Sequence, residues 1–434
     1  MSTSDDLNRL SEALISRRCG VVTSVTQQPR GPDEPCPPHI WNATLAHFGA
    51  QQFPLSMRFA SGKGRSEEEA KLSALGEAIE RYGAFQWDHQ RVRSGPMHGP
   101  TITPDDCVLY SAPQYAMGAP YQKWEPGLEV SWITGIELPE ETPVALPASM
   151  VYLAGPQRAQ DFFTPVSSNG LAAGPDLTGA VLGGCYEVIE RDALMLTWLN
   201  RLPATQIETP AGGCNAAAII RHYEKFGVTV RLLLLQSDQA PYVIMAIAED
   251  ASQGGIFRVV GLGCDCDPVV ALDKAVFELV QLRSGMKTRM QDQTYPARLA
   301  RYDGVRTLDD HALFHVMPEH AGEFGFLTQI KKTCDIHALA NRSGDTSAAT
   351  LKIVTEAAIK SGARVAYADI TPADIRPLGP RVVRVFVTGL QPIDFGYGHV
   401  RLGGTRLFRA PVDWGIRPRP LTPQELNPCP HPLA

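Results

Sequence analysis

The 434 residues carry a formal net charge of −6 with 44% hydrophobic and 20% charged residues, which fits a globular chain with a sizeable core and gives no general attraction for nucleic acid. No apolar run approaches the length of a bilayer span and MSTSDDLNRL lacks the basic-then-apolar order of a signal peptide, so no membrane association is expected and the expected compartment is the cytoplasm. Nine scattered cysteines form no disulfide framework, and Cys264 and Cys266 sit too close together for a usual zinc knuckle.

In chain order, LNRLSEALISRR predicts a short amphipathic helix within residues 1–20, and QQPRGPDEPCPPH a proline-rich lead-in. These make residues 1–54 a preface to one large domain over 55–434. Ser66 and Glu69 form a capping-box signature that opens a helix over 66–86. Short β-like runs follow in VSWITGIEL and PVALPASMVYL, then a helix over 177–200 after SSNGLAAGPD. A helix near 213–226 leads into strands VTVRLLLL, YVIMAIAED and FRVVGLGC and a helix over 268–284. Helical segments near 322–341 and 347–361 precede strands RVAYADI and VVRVFVTGL, and the last thirty residues are proline-rich. The alternation predicts an α/β, α+β mixed fold, with no repeat of fixed period.

Three helices carry polar stripes. On the first, Leu72, Leu75, Ile79 and Tyr82 form an apolar face while Ser73, Glu77 and Glu80 line another, with Arg81 at its edge. On the second, Glu187 and Glu190 point away from a broad apolar arc together with Arg191. The third opens with Asp267-Pro268 and aligns Lys274, Glu278 and Gln281; Lys274 to Glu278 reads as an i,i+4 ion pair. Each stripe also fits a solvated or ion-paired face. Two glutamate pairs together would repel without cations, and Mg²⁺ with its oxygen ligands would relieve them. The stretch SGKG, read as a loop, offers Lys63 to a phosphate and glycines for close backbone approach, without the spacing of a Walker A motif.

The runs GKGRSEEEAKLSALGEAIERY, SSNGLAAGPDLTGAVLGGCYEVIERDALMLTWL and GLGCDCDPVVALDKAVFELVQLR, in this order, resemble the YcaO family, and the likeness extends over roughly residues 20–434. The resemblance implies a YcaO fold of mixed sheets and helices around a central ATP cleft. It implies Mg²⁺ ligands at Glu77, Glu80, Glu187 and Glu190, and nucleotide contacts from Lys63, Ser73, Asn169 and Gln281, with Arg81 and Arg191 near phosphate or holding the glutamates. Two positions depart from the family pattern. Gly285 stands where an arginine four residues after Gln281 is usual, leaving Arg283 as the nearest substitute, and Thr388 stands where proline is common. The ending Pro428-Cys429-Pro430-His431-Pro432, with Ala434 two residues on, resembles the PxPxP tail of azoline-forming members, where it helps arrange cyclisation near the ATP site.

The activity so implied is an ATP-dependent cyclodehydration. A Cys, Ser or Thr side chain of a ribosomal precursor peptide adds to the preceding amide, the amide oxygen is phosphorylated, and phosphate leaves to give a thiazoline or oxazoline. No covalent enzyme nucleophile is required. His399 and His431 are candidate proton-transfer groups, although isolated histidines also serve structure. The resemblance further implies a separate E1-like or ThiF-like partner that binds the leader peptide, a flavin dehydrogenase acting later, and a homodimer or hetero-oligomer. Other amide activations (thioamide or macrolactamidine formation) and a non-catalytic peptide- or nucleotide-binding subunit stay open.

Overall fold

The computed structural model describes residues 3–47, 55–96, 99–154, 158–251, 258–292 and 294–433. Along the chain run α1 (Thr3–Leu14), β1 (Val22–Gln27), β2 (His39–Leu45), β3 (Phe59–Gly64), α2 (Glu67–Ala84), β4 (Arg93–Gly95), β5 (Val130–Leu138), β6 (Thr142–Pro147), β7 (Leu171–Gly174) and α3 (Leu177–Asn200). Then follow β8 (Thr205–Ile207), α4 (Asn215–Glu224), β9 (Val228–Leu234), β10 (Tyr242–Asp250), β11 (Arg258–Asp265), α5 (Pro268–Arg289) and α6 (Leu308–Val316). The remaining longer elements are β12 (Thr333–Cys334), α7 (Ser347–Lys360), β13 (Val365–Asp369), β14 (Arg381–Val387) and α8 (Arg406–Asp413). The architecture is mixed α/β, with three sheets among the described residues.

The chain divides into two compact units that interleave in sequence. Unit 1 takes residues up to Pro29, Pro38–Val188 and Gly344–Leu390; unit 2 takes Arg30–Pro37, Ile189–Ser343 and Gln391 onward. The boundary at 188/189 falls inside α3.

Unit 1 holds two sheets, one ordered β1-β2-β3 and one ordered β4-β5-β13-β14-β7, with β6 pairing β5. The stretch SGKG belongs to strand β3 rather than to a loop, with Lys63 opposite Ile40 of β2. Its glycines serve packing. A Cβ on Gly62 would come within 2.0 Å of the Ala74 nitrogen and 2.2 Å of the Ala70 carbonyl oxygen, so only glycine lets α2 lie this close to the strand. Thr388, at the end of β14, explains its departure from proline. Its N–H donates to the Arg364 carbonyl at 2.9 Å and its hydroxyl accepts from the Arg364 N–H at 2.8 Å, and proline would lose both.

Unit 2 is built on the sheet β11-β10-β9-β8-β12, mostly antiparallel, with β12 parallel to β8. β10 is buried on both faces from Tyr242 to Ala248, which is why it reads as an unbroken apolar run. Here the strand–helix device of unit 1 recurs. A Cβ on Gly263 would meet the Ala271 carbonyl oxygen at 2.1 Å and the Ala275 nitrogen at 2.5 Å. The alanines follow the glycine at the same spacing as Ala70 and Ala74 follow Gly62. The helix expected near 322–341 is absent. That stretch breaks into 3-10 turns, a helical turn at Gly325–Thr328, β12 and another 3-10 turn, because Gly325 and the polar residues Thr328, Gln329, Lys331, Lys332 and Thr333 interrupt any continuous apolar stripe.

Candidate active site

In unit 1 the site begins at α2. Ser66 caps it, its hydroxyl accepting from the Glu69 N–H at 3.2 Å, but the expected box is only half formed, because the Glu69 carboxylate accepts from the Arg65 N–H at 2.9 Å. Glu77 is held on both oxygens, one by the Ser61 N–H of β3 at 2.7 Å and the other by Arg81. Arg81 also donates to the Met57 and Phe59 carbonyls, so its visible function is to fix Glu77 and the entry of β3. Glu80 accepts from the Ala173 N–H of β7 at 3.2 Å. Burial, with the charges of Glu187 and Glu77 added to it, pushes the Glu80 carboxyl well above the usual carboxylate range. Unit 1 therefore sets Glu80 within electrostatic range of Glu77 on the same helix and of Glu187 on α3. Ser73 is exposed on α2 and Lys63 half-buried on β3.

Asn169 lies in the SNG turn before β7. Its carbonyl accepts from Arg384 at 2.6 Å, while its side-chain Oδ1 is buried without a hydrogen-bond partner. Arg384 escaped the sequence reading. It is buried in β14, donates also to the carbonyls of Ser167 at 2.6 Å and Val151 at 3.1 Å, and so ties down the turn that carries Asn169. Burial lowers its pKa to about 10 although the nearby charges of Glu187 and Glu80 act to raise it. An arginine inside the apolar run VVRVFV was the signal that could have revealed it.

Half-buried Glu80, pushed toward protonation by burial and by the charges of Glu187 and Glu77, is a donor that a hard divalent cation would relieve, and the orphaned Asn169 oxygen of the same unit suits a polar ligand. The residues present thus fit Mg²⁺ and a nucleotide.

In unit 2, α3 continues with Glu190, which is buried and pairs with Arg191 at 2.8 Å. Gln281 is half-buried on α5. Lys274 bonds to Asp265 at 2.6 Å and to the Cys264 carbonyl at 3.1 Å, near the strand end just before its own helix. The expectation for Arg283 is corrected. It is 1% exposed and committed to three carboxylates, Asp33 at 2.8 Å, Asp250 at 2.7 Å and Glu34, which withdraws it from the nucleotide-binding set.

The tail is ordered into unit 2 rather than frayed. Pro428 is exposed, whereas Cys429, Pro430, His431 and Pro432 are buried; Ala434 lies outside the described residues. His431, considered for proton transfer, is a buried neutral ring that hydrogen-bonds the Asp394 carbonyl at 2.9 Å and stacks on His311 with centroids 3.9 Å apart. His399 is half-buried in the irregular stretch after β14. The ligand atoms of His311, His431 and Asp394 lie within 4.8 Å of one another, but both imidazoles already use their nitrogens. His311 accepts from the Gly396 N–H at 2.8 Å and hydrogen-bonds the His431 carbonyl at 3.0 Å.

These rings make unit 2 acid-sensitive. Burial lowers His311 to about 4 and His315 to about 3 and holds His431 well below its ordinary value; Asp310 beside His311 opposes the shift, while Arg258 and His320 near His315 and Arg191 near His431 reinforce it. Burial raises Asp394 to about 7, with Arg401 opposing. Between pH 6.5 and about 4 the unfolded chain takes up three protons on the histidines that the folded chain does not, while the folded chain holds one on Asp394 that the unfolded chain lacks. These groups should therefore remove about 2–3 kcal/mol of stability for each unit of acidification in that window. Urea titrations at pH 6.5 and 5.5 measure it; equal midpoints would contradict the neutral-ring assignment.

The family model described as YcaO cyclodehydratase, ATP- and Mg²⁺-binding, matches residues 61–391, well over half of the chain. The chain belongs to the YcaO family. ATP and Mg²⁺ are the cofactors of that family. An uncharacterized protein of Methanothermobacter thermautotrophicus is 27% identical to this YcaO chain over 342 residues, 76% of this chain and 81% of its own. Among solved structures, a heterocyclase in complex with substrate and cofactor superposes with a TM-score of 0.84 at 22% identity, covering 100% of this chain and 57% of its own. YcaO from Methanopyrus kandleri, bound with AMPPCP and Mg²⁺, superposes with a TM-score of 0.68 at 23% identity, over 93% of this chain and 94% of its own. At these identities the two structures establish the fold, and this chain spans little more than half of the heterocyclase. No described helix is long and apolar enough to cross a membrane.

Proposed function

We propose that this YcaO chain is an ATP- and Mg²⁺-dependent cyclodehydratase that activates a backbone amide of a ribosomal precursor peptide and converts Cys, Ser or Thr to a thiazoline or (methyl)oxazoline. The observation that carries the reading is Glu80, half-buried in unit 1 and facing the charges of Glu187 and Glu77, an arrangement costly to hold without cations. When bound, ATP supplies the phosphoryl group that makes the amide oxygen a leaving group, and Mg²⁺ offsets charge on the phosphates.

The chain's own residues position and orient. Glu77, Glu80, Glu187 and Glu190 are assigned to Mg²⁺, with Arg81 fixing Glu77 and Arg191 fixing Glu190. Lys63, Ser73, Asn169 and Gln281 are assigned to the nucleotide, and Arg384 holds the turn that presents Asn169. The tail prolines, with Ala434 beyond them, are assigned to arranging the cyclisation. A stiff PPII-like segment can do this with little ordering entropy.

Leader recognition is assigned to a separate E1-like or ThiF-like chain, in a hetero-oligomer or beside a homodimer. A flavin dehydrogenase would oxidise the azoline afterwards. Calorimetric titration of the purified chain with ATP and Mg²⁺ tests the reading. Saturable binding is expected; no binding either alone or with the partner would overturn it.

A further inference from the structure

The tail of unit 2 has a chemical peculiarity. Pro428, Pro430 and Pro432 have no N–H, so the segment cannot enter a sheet as an ordinary strand and offers its surroundings mainly carbonyl acceptors. Three successive carbonyls are met by three aromatic ring nitrogens. Trp198 Nε1 of α3 donates to the Cys429 carbonyl at 2.7 Å, His315 Nε2 of α6 bonds the Pro430 carbonyl at 2.7 Å, and His311 Nδ1 bonds the His431 carbonyl at 3.0 Å. His311 and His315 sit four residues apart on one face of α6, and the Trp198 and His315 rings pack edge to face at 5.3 Å. All three are buried. His311 accepts from the Gly396 N–H at Nε2, which leaves the proton on Nδ1, facing the tail. At His315 the proton must be on Nε2, since a carbonyl only accepts, and Nδ1 is buried without a partner.

We propose that Trp198, His311 and His315 are positioning residues that clamp the tail and set its register chiefly through its backbone carbonyls, beside the His311–His431 stack and the approach of the Cys429 thiol to His315 Nε2 at 4.0 Å. The consequence for catalysis rests on the cyclodehydratase reading; the clamp itself does not. Three successive carbonyls, each met by its own ring N–H, fix the register, since a one-residue slip would carry all three acceptors out of line with their donors at once.

Cys429 reports the state of the clamp, because it lies in the tail and is 2% exposed, while Cys264 in β11 of the same unit is 3% exposed and reports the fold. Iodoacetamide labelling of the full chain, resolved by peptide mass spectrometry, compares three substitutions. His315→Phe keeps the ring and removes the donor; Cys429 labelling should accelerate at least tenfold while Cys264 stays protected. His315→Gln places an amide N–H near the Nε2 position and should restore protection; it gives up the ring packing on Trp198 and Phe324 but no hydrogen bond at Nδ1, which is unused. His315→Asn, whose amide reaches only the Nδ1 position, should label like His315→Phe. Unchanged Cys429 labelling in His315→Phe, or equal protection by Gln and Asn, would overturn the clamp. ATP turnover of the same variants is read separately. If the wild type turns over no ATP while the labelling pattern holds, the failure belongs to the cyclodehydratase reading.

Discussion

Replacing Glu80 by glutamine is expected to abolish Mg²⁺-dependent nucleotide binding while leaving the metal-free protein as stable as the wild type or more so. In the metal-free chain the Glu80 carboxyl pays a burial penalty and faces the charges of Glu187 and Glu77, so an uncharged isostere relieves repulsion instead of breaking a bond. The hydrogen bond from the Ala173 N–H survives, because the amide oxygen still accepts. With Mg²⁺ and nucleotide the balance reverses. Saturation at one hundred times Kd stabilises the wild type by about 2.7 kcal/mol, and a variant whose affinity falls roughly 100-fold or more loses nearly all of that. Thermal unfolding with and without Mg²⁺ and ATP gives both halves at once. A variant that melts early without ligand, or gains as much as the wild type with it, would sink the assignment.

Arg283→Ala is expected to cost about 3–5 kcal/mol of stability, the range for removing one partner of a buried ion cluster. Burial works against the arginine's charge, but Glu34, Asp33 and Asp250 more than offset it and hold its pKa above the ordinary value. Lys287 also reaches Asp33 and Glu34, and the Tyr223 hydroxyl donates to Glu34 at 2.8 Å. With Arg283 gone, Asp250 loses this ion pair, and Asp33 and Glu34 are left with Lys287. Arg283→Lys should fall between, since a single ammonium cannot serve three carboxylates in fork geometry. Urea denaturation of the three proteins measures the series, and the lysine variant should bind nucleotide like the wild type. Full stability in the lysine variant with nucleotide binding lost would return Arg283 to the nucleotide site.

What could be read from the sequence follows from how local the governing physics is. α2, α3 and α5 declared themselves through caps and apolar stripes, which act within a few turns. β5 and β10 declared themselves through uninterrupted strand-forming residues. SGKG misled because glycine beside lysine is ambiguous until α2 is laid against the strand; only then does Ala74 explain Gly62. Arg283 misled for the same reason. Its three partners come from residues 33, 34 and 250, and no spacing along the chain announces them. Glu77, Glu80 and Glu187 could be nominated from helical spacing, yet the burial that raises Glu80 could not. Arg384 was visible as an arginine among valines, and its three carbonyl partners were not.

The interleaving of the two units bears on the order in which the ribosome can deliver them. Unit 1 has all its segments once residue 390 has left the exit tunnel. Unit 2 receives Arg30–Pro37 early and the bulk of its sheet midway, but must wait for residues beyond 390 to fill the space around Trp198, His311 and His315. A nascent chain therefore still lacks part of unit 2 when all of unit 1 has emerged, an interval in which the apolar surface around Trp198 is not yet covered by the tail. No single proteolytic cut or truncation separates the units, so each is accessible to study only within the whole chain.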